Sequence, residues 1–335
     1  MTTRWQSEMA EAVRDPAELL DLLELEGRWL EPARRAAAAF PLRVPRGFLA
    51  RMRKGDPHDP LLRQVLPLGE ELLDVPGYSR DPVGDMPSIA AKGLLHKYRG
   101  RVLLIATGAC GVHCRYCFRR HFPYADETAR ADDWREALDY LRSDASINEV
   151  ILSGGDPLTL SDGRLAAFAR ALEDIPHIKR LRLHTRQPVV LPSRVDDALL
   201  AWLSACTLQK VVVLHMNHGR EMDPALKQAC ARLKGAGALL LNQSVLLKGV
   251  NDSAEALAGL SEALADAGVL PYYLSLLDPV AGAAHFDVPE PQALEIMAEL
   301  RARLPGYLVP KLVREVPGAP AKMPVPAPGH VTAGG

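Results

Sequence analysis

From about residue 94 onward, short apolar stretches alternate with amphipathic stretches, and this alternation limits the fold more than any other feature of the sequence. Alternation of this kind is how a parallel sheet with crossover helices appears in a sequence. Six strand-and-helix steps predict an α/β fold with a partial (βα)6 barrel. The predicted strands are RVLLIAT, EVILSG, RLRLHT, KVVVLHM, LLLNQSVLL and YYLSLL.

Helical stretches fall between the predicted strands, and each begins with a capping residue or is followed by Gly or Pro. They are DDWREALDYLRSD, DGRLAAFARALED, DPALKQACARLKGAG and SAEALAGLSEALADAG. Unusual polar groups follow the strands, namely CGVHCRYC, SGGD, HTR, HMNH, NQ and LLD. Because the C-terminal strand ends of a (βα) barrel carry the chemistry, we expect the functional site at that end.

The sequence divides into three predicted regions. Residues 1–93 form an N-terminal helical lobe, with helical patterns such as PAELLDLLELEG and EPARRAAAAF between Pro-rich joints. Residues 94–285 form the partial barrel, and residues 286–335 form a C-terminal segment. The final residues are rich in Pro, Gly and Ala, which predicts a mobile tail.

Composition and charge narrow the class of partner. The formal net charge is -1, so no basic face is implied that would bind nucleic acid or an anionic membrane. No apolar run approaches the roughly 20 residues that span a bilayer, and the start MTTRWQSEMAEAVRD lacks the apolar core of a secretion signal. We therefore expect a cytoplasmic protein whose partners are small molecules or proteins, while the oligomeric state is not indicated.

Three of the five cysteines lie close together, at Cys110, Cys114 and Cys117. They follow an apolar strand in a Gly-containing loop with the spacing Cys-x3-Cys-x2-Cys, so three thiolates can converge on one iron-sulfur cluster. A four-iron cluster usually takes four protein ligands, and three ligands leave one iron open. Radical S-adenosylmethionine (SAM) enzymes use this arrangement to bind the amino and carboxylate groups of SAM.

Two alternatives remain for the cysteine triplet: a zinc site completed by His113 or His121, or three unligated thiols. The other two cysteines, Cys206 and Cys230, fall in helical patterns, where we expect packing in the core. Tyr116 directly precedes the last cysteine of the triplet and is a candidate for contact with the adenine of SAM.

The motif SGGD follows the second predicted strand and comprises Ser153, Gly154, Gly155 and Asp156. Its glycines would let the backbone approach the amino group of SAM. The same four residues also make an ordinary turn and helix cap, so the motif alone does not decide between the two interpretations.

Eight stretches between about residue 40 and residue 324 carry a resemblance to a known family. They are FLARMRKGDPHDPLLRQVLP, LLHKYRGRVLL, CGVHCRYCFRRHFPYA, EVILSGGDPL, HIKRLRLHTRQPVVLPSR, LLNQSVLLKGVND, PYYLSLLDPVAGAAHF and GYLVPKLVREVPGAPAKMP. In these stretches the chain resembles the lysine 2,3-aminomutase family of radical SAM enzymes. Within that family it is similar to a short bacterial branch that makes (R)-β-lysine for modification of elongation factor P.

This resemblance implies an overall fold and three cofactors. The fold is a partial (βα)6 radical SAM barrel with an N-terminal helical lobe and a C-terminal segment that carries a lysine for pyridoxal 5'-phosphate (PLP). The three cysteines ligate a [4Fe-4S] cluster, which binds SAM. Lys322, in PGAPAKMP, forms a Schiff base with PLP, although Met323 stands where the motif usually has Thr. The PLP phosphate is held by residues that match Lys97, Tyr98, Arg101 and Gln243.

The resemblance also implies roles for residues around the substrate and SAM. His215 matches a histidine close to SAM, and Arg119 matches an arginine that binds the substrate carboxylate. Asp278 and Glu315 match two acids that receive the side-chain ammonium of lysine, with Glu315 in the place of an aspartate. Without the resemblance, an isolated Arg, His or Lys of this kind has an ordinary structural interpretation, as an ion pair, a buried ring or a solvated charge.

The implied activity is an isomerase reaction that converts L-lysine to (R)-β-lysine by 2,3-amino migration. A reductant protein would supply the electron, and the product would pass to a ligase that acts on elongation factor P. The absence of any cysteine after Lys322 favours this branch over larger relatives that carry a zinc-binding C-terminal segment. One alternative is an aminomutase for another amino acid such as glutamate, against which the acids Asp278 and Glu315 argue. A more remote alternative is a non-catalytic iron-sulfur protein.

Overall fold

One sheet organises the part of the chain that the computed structural model describes, which is residues 2–127 and 134–325. Its ten strands each lie beside the strand that precedes them in the chain. The strands are β1 (Ile89–Ala91), β2 (Leu94–Tyr98), β3 (Arg101–Thr107), β4 (Glu149–Gly154), β5 (Arg180–Thr185), β6 (Gln209–Leu214), β7 (Leu239–Val245), β8 (Leu270–Ser275), β9 (Lys311–Arg314) and β10 (Met323–Pro324).

The central strands β3 to β9 run parallel to one another. Antiparallel strands flank them, with β1 and β2 at one edge and β10 at the other. Parallel neighbours place their C-terminal ends on the same side of a sheet, so the loops after β3 to β9 gather at one end of the barrel.

Helices connect the parallel strands and confirm the predicted α/β fold. A helix follows each strand from β3 to β8, and these helices are α7, α8, α10, α11, α12 and α13. The α-helices of the described residues are α1 (Arg4–Ala10), α2 (Pro16–Leu22), α3 (Leu30–Ala39), α4 (Arg46–Leu49), α5 (Pro60–Arg63), α6 (Tyr124–Glu127), α7 (Trp134–Ser143), α8 (Asp162–Glu173), α9 (Gln187–Val190), α10 (Asp197–Ala205), α11 (Pro224–Gly235), α12 (Ala254–Asp266) and α13 (Glu290–Arg303).

The local sequence explains why these elements form. In β4 the sequence EVILS is buried along its whole length, as expected for a parallel strand covered on both faces. In α12 the hydroxyl of Ser253 accepts a hydrogen bond from the backbone N–H of Ala256 and caps the helix. The same helix buries Leu257, Leu260 and Leu264 along one face, which is the spacing of an amphipathic helix.

The N-terminal helices α1 to α5 precede the sheet and pack directly on the barrel. Their apolar core includes Val112, Val190 and Leu191, which belong to loops and helices of the barrel. The guanidinium of Arg194, from the barrel, lies 4.7 Å from the ring centre of Trp5 in α1. The lobe and the barrel therefore share one apolar interface.

Four short strands lie outside the sequence prediction, and they change how the C-terminal segment is placed. Strand β2 pairs with β3 through a tight turn at Arg99 and Gly100, and Gly100 has a φ of +79°. Strand β9 is only four residues long, and β10 pairs back onto it. Because of β9 and β10, Lys322 sits at the edge of the barrel sheet and not on an appended tail.

Three further expectations have separate outcomes. Cys206 and Cys230 are buried in the main core, which confirms their structural interpretation. The predicted mobile tail falls on residues 326–335, which lie outside the described residues, as do residues 132–133 at the start of the first predicted crossover helix. Within residues 2–127 and 134–325, no helix is both long and apolar enough to cross a membrane.

Candidate functional site

A cavity of about 570 Å³ opens at the C-terminal ends of the strands. Every residue that the sequence analysis selected for the site lines it. These residues are Lys97, Tyr98, Arg101, Cys110, Cys114, Tyr116, Cys117, Arg119, Ser153, Gly154, Gly155, Asp156, His215, Gln243, Asp278, Glu315 and Lys322. They come from both edges of the sheet and from its centre, so the folded barrel brings together residues far apart in sequence.

The three cysteines lie in the loop that follows β3, which we call the cysteine loop (residues 108–118). All three are free thiols, and each is partly buried at the wall of the cavity. No group of three His, Cys, Asp or Glu side chains within the described ranges is arranged to hold a single metal ion. The three thiols nonetheless line the same cavity.

The zinc alternative loses both of its candidate histidines. The ring of His113 shares a 2.8 Å hydrogen bond with the carbonyl of Pro41 and stacks on Phe40. His121 shares a 3.0 Å hydrogen bond with the carbonyl of Ala281. These bonds fix both rings, and within the described residues neither histidine belongs to a group of side chains that could hold a metal ion.

Burial disfavours negative charge on the sulfurs of Cys110 and Cys117, and nearby arginines oppose that effect. Burial raises the pKa of Cys117 to about 11, although Arg119 and Arg120 oppose the shift. Burial likewise raises the pKa of Cys110, with a smaller opposing contribution from Arg43. Cationic side chains beside buried thiols are what an anionic, thiolate-ligated cluster requires, so the donor set fits a [4Fe-4S] cluster.

The glycines of SGGD pack against the cysteine loop. A Cβ on Gly155 would lie 2.3 Å from the carbonyl oxygen of Ala109, and one on Gly154 would lie 2.6 Å from that of Thr107. Gly154 also has a φ of +119°, which side-chain-bearing residues rarely adopt. The glycines are therefore required for the close approach of β4 to the loop, whether or not they also contact SAM.

Asp156 organises the turn after β4. Its carboxylate accepts hydrogen bonds from the backbone N–H groups of Leu158, Arg186 and Gln187, and from the hydroxyl of Thr185 at 2.7 Å. Burial raises the pKa of Asp156 despite these bonds. Since its oxygens are occupied by donors of the same chain, the side chain orients the neighbouring loops.

Tyr116 and His215 belong to a buried polar network beneath the cysteine loop. The Tyr116 hydroxyl and Nε2 of His215 share a 2.8 Å hydrogen bond, and Asn217 donates to the same hydroxyl at 2.7 Å. Burial lowers the pKa of His215 to about 3, so the ring is neutral at physiological pH. The Tyr116 hydroxyl also accepts a short hydrogen bond from Arg186, which leaves only the ring of Tyr116 for contact with a ligand.

Lys322 is held by Glu315, the acid that directly follows β9. Its Nζ lies 2.8 Å from Oε2 of Glu315, and the hydroxyl of Tyr98 donates a short hydrogen bond to the other oxygen of Glu315. Burial would raise the pKa of Glu315, but Lys322 and Tyr98 outweigh it and hold the pKa low. Glu315 is therefore a charged carboxylate that positions Lys322 in the cavity.

Asp85 links two cations that the sequence analysis assigned to different ligands. Its carboxylate lies 2.6 Å from Nζ of Lys97 and 2.7 Å from Nε of Arg119. The side chain of Arg119 also donates to the hydroxyl of Ser153 at 3.3 Å. One buried aspartate thus fixes the spacing between Lys97 and Arg119.

Three further side chains present polar groups to the cavity. Arg101 packs over the ring of Tyr98, with 4.6 Å from Cζ to the ring centre. The side chains of Arg101, Gln243 and Asp278 have no hydrogen-bond partner among residues 2–127 and 134–325. Burial raises the pKa of Asp278 to about 6, with Lys322 opposing the shift. These groups are available to a bound anion or ammonium.

Sequence reasoning missed Asp85 and Arg186. Arg186 belongs to the HTR stretch, whose position at a strand end did mark it as unusual. Its guanidinium lies 2.9 Å from Sγ of Cys114. Asp85 lies in a Pro-rich joint, where nothing in the local pattern distinguishes it from a turn residue.

Known proteins match the residues of the site and nearly the whole length of the chain. A model of the radical SAM superfamily matches residues 104–260, which include the cysteine loop and SGGD. The L-lysine 2,3-aminomutase of Escherichia coli (strain K12) is 51% identical over 322 residues, covering 96% of this chain and 94% of that protein. This chain belongs to the lysine 2,3-aminomutase family.

Other members of the lysine 2,3-aminomutase family align over nearly all of the chain. The L-lysine 2,3-aminomutase of Haemophilus influenzae is 46% identical over 95% of this chain and 94% of that protein. The L-lysine 2,3-aminomutase of Clostridium subterminale is 32% identical over 96% of this chain but 77% of that protein. As a radical SAM protein, the chain uses a [4Fe-4S] cluster and SAM, which agrees with the donor set of the cysteine loop.

Proposed function

We propose that the chain converts L-lysine to (R)-β-lysine by moving the amino group from carbon 2 to carbon 3. One observation carries this proposal: the cysteine loop, a lysine, an arginine and two acids line a single cavity in a member of the lysine 2,3-aminomutase family. When bound, the cluster and SAM would supply a carbon-centred radical, and PLP would supply a conjugated π system for the migrating nitrogen. Cys110, Cys114 and Cys117 would hold the cluster.

The charges of the cavity suit a lysine substrate. Arg119 offers a cation for the substrate carboxylate, and its bond to Asp85 fixes where that cation lies. Asp278 offers a buried carboxylate without a partner among the described residues, which suits a distant ammonium. Glutamate would place a second carboxylate near Asp278 and Glu315, where repulsion is weakly screened.

Lys322 is the residue we propose for attachment of PLP. It lines the same cavity as two uncompensated polar side chains, Arg101 and Gln243, that could bind a phosphate. Lys97 and Tyr98 would complete that set, although Asp85 and Glu315 already engage them. In this arrangement Glu315 orients Lys322 by accepting a hydrogen bond from its Nζ.

Ligand contacts with SAM are proposed for the remaining predicted residues. The backbone of Ser153, Gly154 and Gly155 would face its amino group, with Asp156 holding the turn in place. The ring of Tyr116 and the neutral ring of His215 would lie beside the adenosine. Both rings are fixed by the network beneath the loop, so they would be preorganised for binding.

Anaerobic reconstitution tests the activity. The protein is loaded with iron, sulfide and PLP, supplied with SAM and a reductant, and incubated separately with L-lysine, L-glutamate and L-ornithine. Chiral product analysis should find (R)-β-lysine from L-lysine alone. Product from glutamate would favour the alternative aminomutase, and no product from any substrate with an intact cluster would favour a non-catalytic iron-sulfur protein.

Borohydride reduction tests the PLP lysine. Reduction of the PLP-loaded protein should leave a stable label on the peptide that contains Lys322, as read by peptide mass mapping. Lys322→Ala should lose the label while the iron-sulfur absorbance stays. The matched control is Lys311→Ala, which changes an exposed lysine on β9 and should keep the label. A label on another lysine would overturn the assignment.

We further propose that the β-lysine serves modification of elongation factor P. Support comes from the motifs of the short bacterial branch and from alignment over 94% of the Escherichia coli relative. A separate ligase would take free (R)-β-lysine from this enzyme and attach it to the factor, and an electron-carrying protein would act as reductant. A coupled assay with the ligase and the factor should show mass addition on the factor only when this enzyme and L-lysine are present.

A further inference from the structure

Arg186 occupies a position beneath the cysteine loop that no proposed ligand contact explains. It follows β5 directly, and its side chain is buried. Its Nη1 lies 2.9 Å from Sγ of Cys114, which is hydrogen-bond distance to sulfur. Among the arginines of the described residues, Arg186 is the one whose side chain donates a hydrogen bond to a thiol of the triplet.

The guanidinium of Arg186 is held rigidly by a buried acid and an amide. Its Nη2 donates to Oε2 of Glu221 at 3.0 Å and to Oε1 of Gln64 at 2.7 Å. Glu221 is fully buried, and its other oxygen accepts the backbone N–H groups of Asn217 and His218 at 2.8 and 3.0 Å. With Nη2 fixed from one side, the planar fork directs Nη1 toward Cys114.

Two aromatic rings lie beside this cation. Cζ of Arg186 lies 5.7 Å from the ring centre of Phe48 and 5.8 Å from that of Tyr116. Arg186 is only 6% exposed, and a charge that is largely removed from water acts strongly on its neighbours. The arginine bonds at the other two cysteines are of another kind. At Cys110, Arg43 donates to the backbone carbonyl and not to sulfur. At Cys117, the backbone of Arg119, not its guanidinium, makes the bond.

A cluster gains negative charge when it is reduced. Hydrogen bonds to cluster sulfurs and nearby cations stabilise that added charge, and they are among the features that set a cluster's reduction potential. Arg186 provides both a hydrogen bond and a nearby positive charge to one sulfur, that of Cys114. Glu221 carries the opposite charge, so it should weaken the effect of Arg186 on the reduction potential.

We propose that Arg186 is a positioning residue that raises the reduction potential of the [4Fe-4S] cluster through its hydrogen bond to Cys114, with Glu221 tempering that effect. This inference rests on the three cysteines holding the cluster. On this proposal, Arg186 influences how readily an external one-electron reductant can reduce the cluster. Binding of lysine or PLP plays no part in it.

Potentiometric titration of the reconstituted cluster, followed by electron paramagnetic resonance without SAM or lysine, tests the proposal. Arg186→Gln should shift the midpoint potential to more negative values, because the cation at Cys114 is lost. Arg186→Lys should shift it less, since a charge remains but the fork is lost. Glu221→Gln should shift it in the opposite direction, because the cation loses its buried counter-charge while Gln can still accept a hydrogen bond.

Arg43→Gln is the matched control. It removes a cation that contacts the same loop at a carbonyl oxygen, so its shift should be smaller than that of Arg186→Gln. Unchanged potentials in both Arg186→Gln and Glu221→Gln, or shifts of the same sign, would overturn the proposal. If Arg186→Gln fails to assemble a cluster, the sign of the Glu221→Gln shift decides.

Failure of this inference can be told apart from failure of the proposed function. One outcome is that the potentials shift as expected in a protein that makes no β-lysine. That result would contradict the aminomutase proposal and support the role of Arg186. β-Lysine formation with unshifted potentials would support the aminomutase proposal and contradict the proposed role of Arg186.

Discussion

At the scale of single residues, the environment of Asp278 suits the binding of a cationic ligand in the cavity. Its carboxyl is buried, and burial raises its pKa to about 6. A raised carboxyl pKa means that the folded protein disfavours the ionised form. The site therefore carries an unfavourable charge at neutral pH, and a cationic group would relieve it.

Asp278→Asn should make the ligand-free protein more stable at neutral pH. Below about pH 4 the carboxyl is protonated in both folded and unfolded chains, so the variant and the parent should be equally stable. Between about pH 4 and pH 6 the unfolded chain releases this proton while the folded parent keeps it, so the parent should lose roughly 3 kcal/mol that the variant keeps, with no further loss above about pH 6. Thermal denaturation of both proteins from pH 4 to pH 8 measures the difference.

An exposed acid provides the comparison for Asp278. Asp174→Asn, at the end of α8, removes a carboxyl from the surface and should give a difference that does not grow with pH in this way. A stability difference for Asp278→Asn that is constant between pH 4 and pH 8 would contradict the raised pKa.

Sequence reasoning reached the residues that carry motifs and missed those that support them. The cysteines, Lys322 and Asp278 were found because their neighbours in sequence form a recognisable pattern. Asp85 contacts Arg119 across 34 residues of sequence, and Arg186 contacts Cys114 across 72. Such pairings depend on the tertiary fold, and no local periodicity or spacing reports them.

At the scale of elements, the junction between β4 and the cysteine loop depends on a missing side chain. Gly155→Ala would place its Cβ 2.3 Å from the carbonyl oxygen of Ala109, and backbone must move to relieve the contact. We expect a loss of roughly 1–3 kcal/mol in unfolding free energy and a lower yield of cluster on reconstitution. Urea denaturation and iron content measure the two effects.

Gly163→Ala is the matched substitution for Gly155→Ala. Gly163 lies in the first turn of α8, and a Cβ there meets no atom within 4 Å. Alanine should be neutral or slightly stabilising at this position, because it favours the helix more than glycine does. Equal effects of the two substitutions would show that the close approach of β4 to the loop is unimportant.

A buried acid ties the N-terminal lobe to the cysteine loop. Glu71 pairs with Arg115 at 2.6 Å and with Arg120 at 2.7 Å, and all three side chains are almost fully buried. Glu71→Ala would leave two buried cations without their partner, which costs on the order of 3–5 kcal/mol. Chemical denaturation should show this loss, whereas Glu70→Ala, at the exposed neighbour, should change stability by less than about 0.5 kcal/mol.

The elements found by periodicity and those missed differ in length. The six long apolar strands and the amphipathic helices between them are visible in the sequence because several residues repeat the same pattern. Strands β9 and β10 contain four and two residues, which is too short for a period to be recognised. They form because β8 offers an edge for pairing, and that edge exists only in the folded sheet.

At the scale of the whole molecule, the shared interface between lobe and barrel bears on the predicted boundary at residue 93. We propose that residues 1–93 are a distinct region in sequence but unfold together with the barrel. Apolar residues of both parts form one cluster, and Trp5 lies against Arg194. Separate folding would expose this interface to water.

Tryptophan fluorescence can follow the two regions separately. A variant that keeps only Trp5 reports on the lobe, and one that keeps only Trp202, in α10, reports on the barrel. Their urea transitions should coincide, as expected for one cooperative unit. A lower midpoint for the Trp5 variant, after correction for any difference in overall stability, would show that the lobe unfolds on its own.

The strand order of the sheet also fixes the order in which the cavity is completed during synthesis. Each strand pairs with the one made just before it, so the sheet can grow from its N-terminal edge while the ribosome is still translating. The cysteine loop emerges early, but Glu315 and Lys322 arrive with the last two strands. The cysteine loop is therefore synthesised on the order of ten seconds before Lys322. A chain truncated before β9 would contain all three cysteines but would lack the amine for PLP.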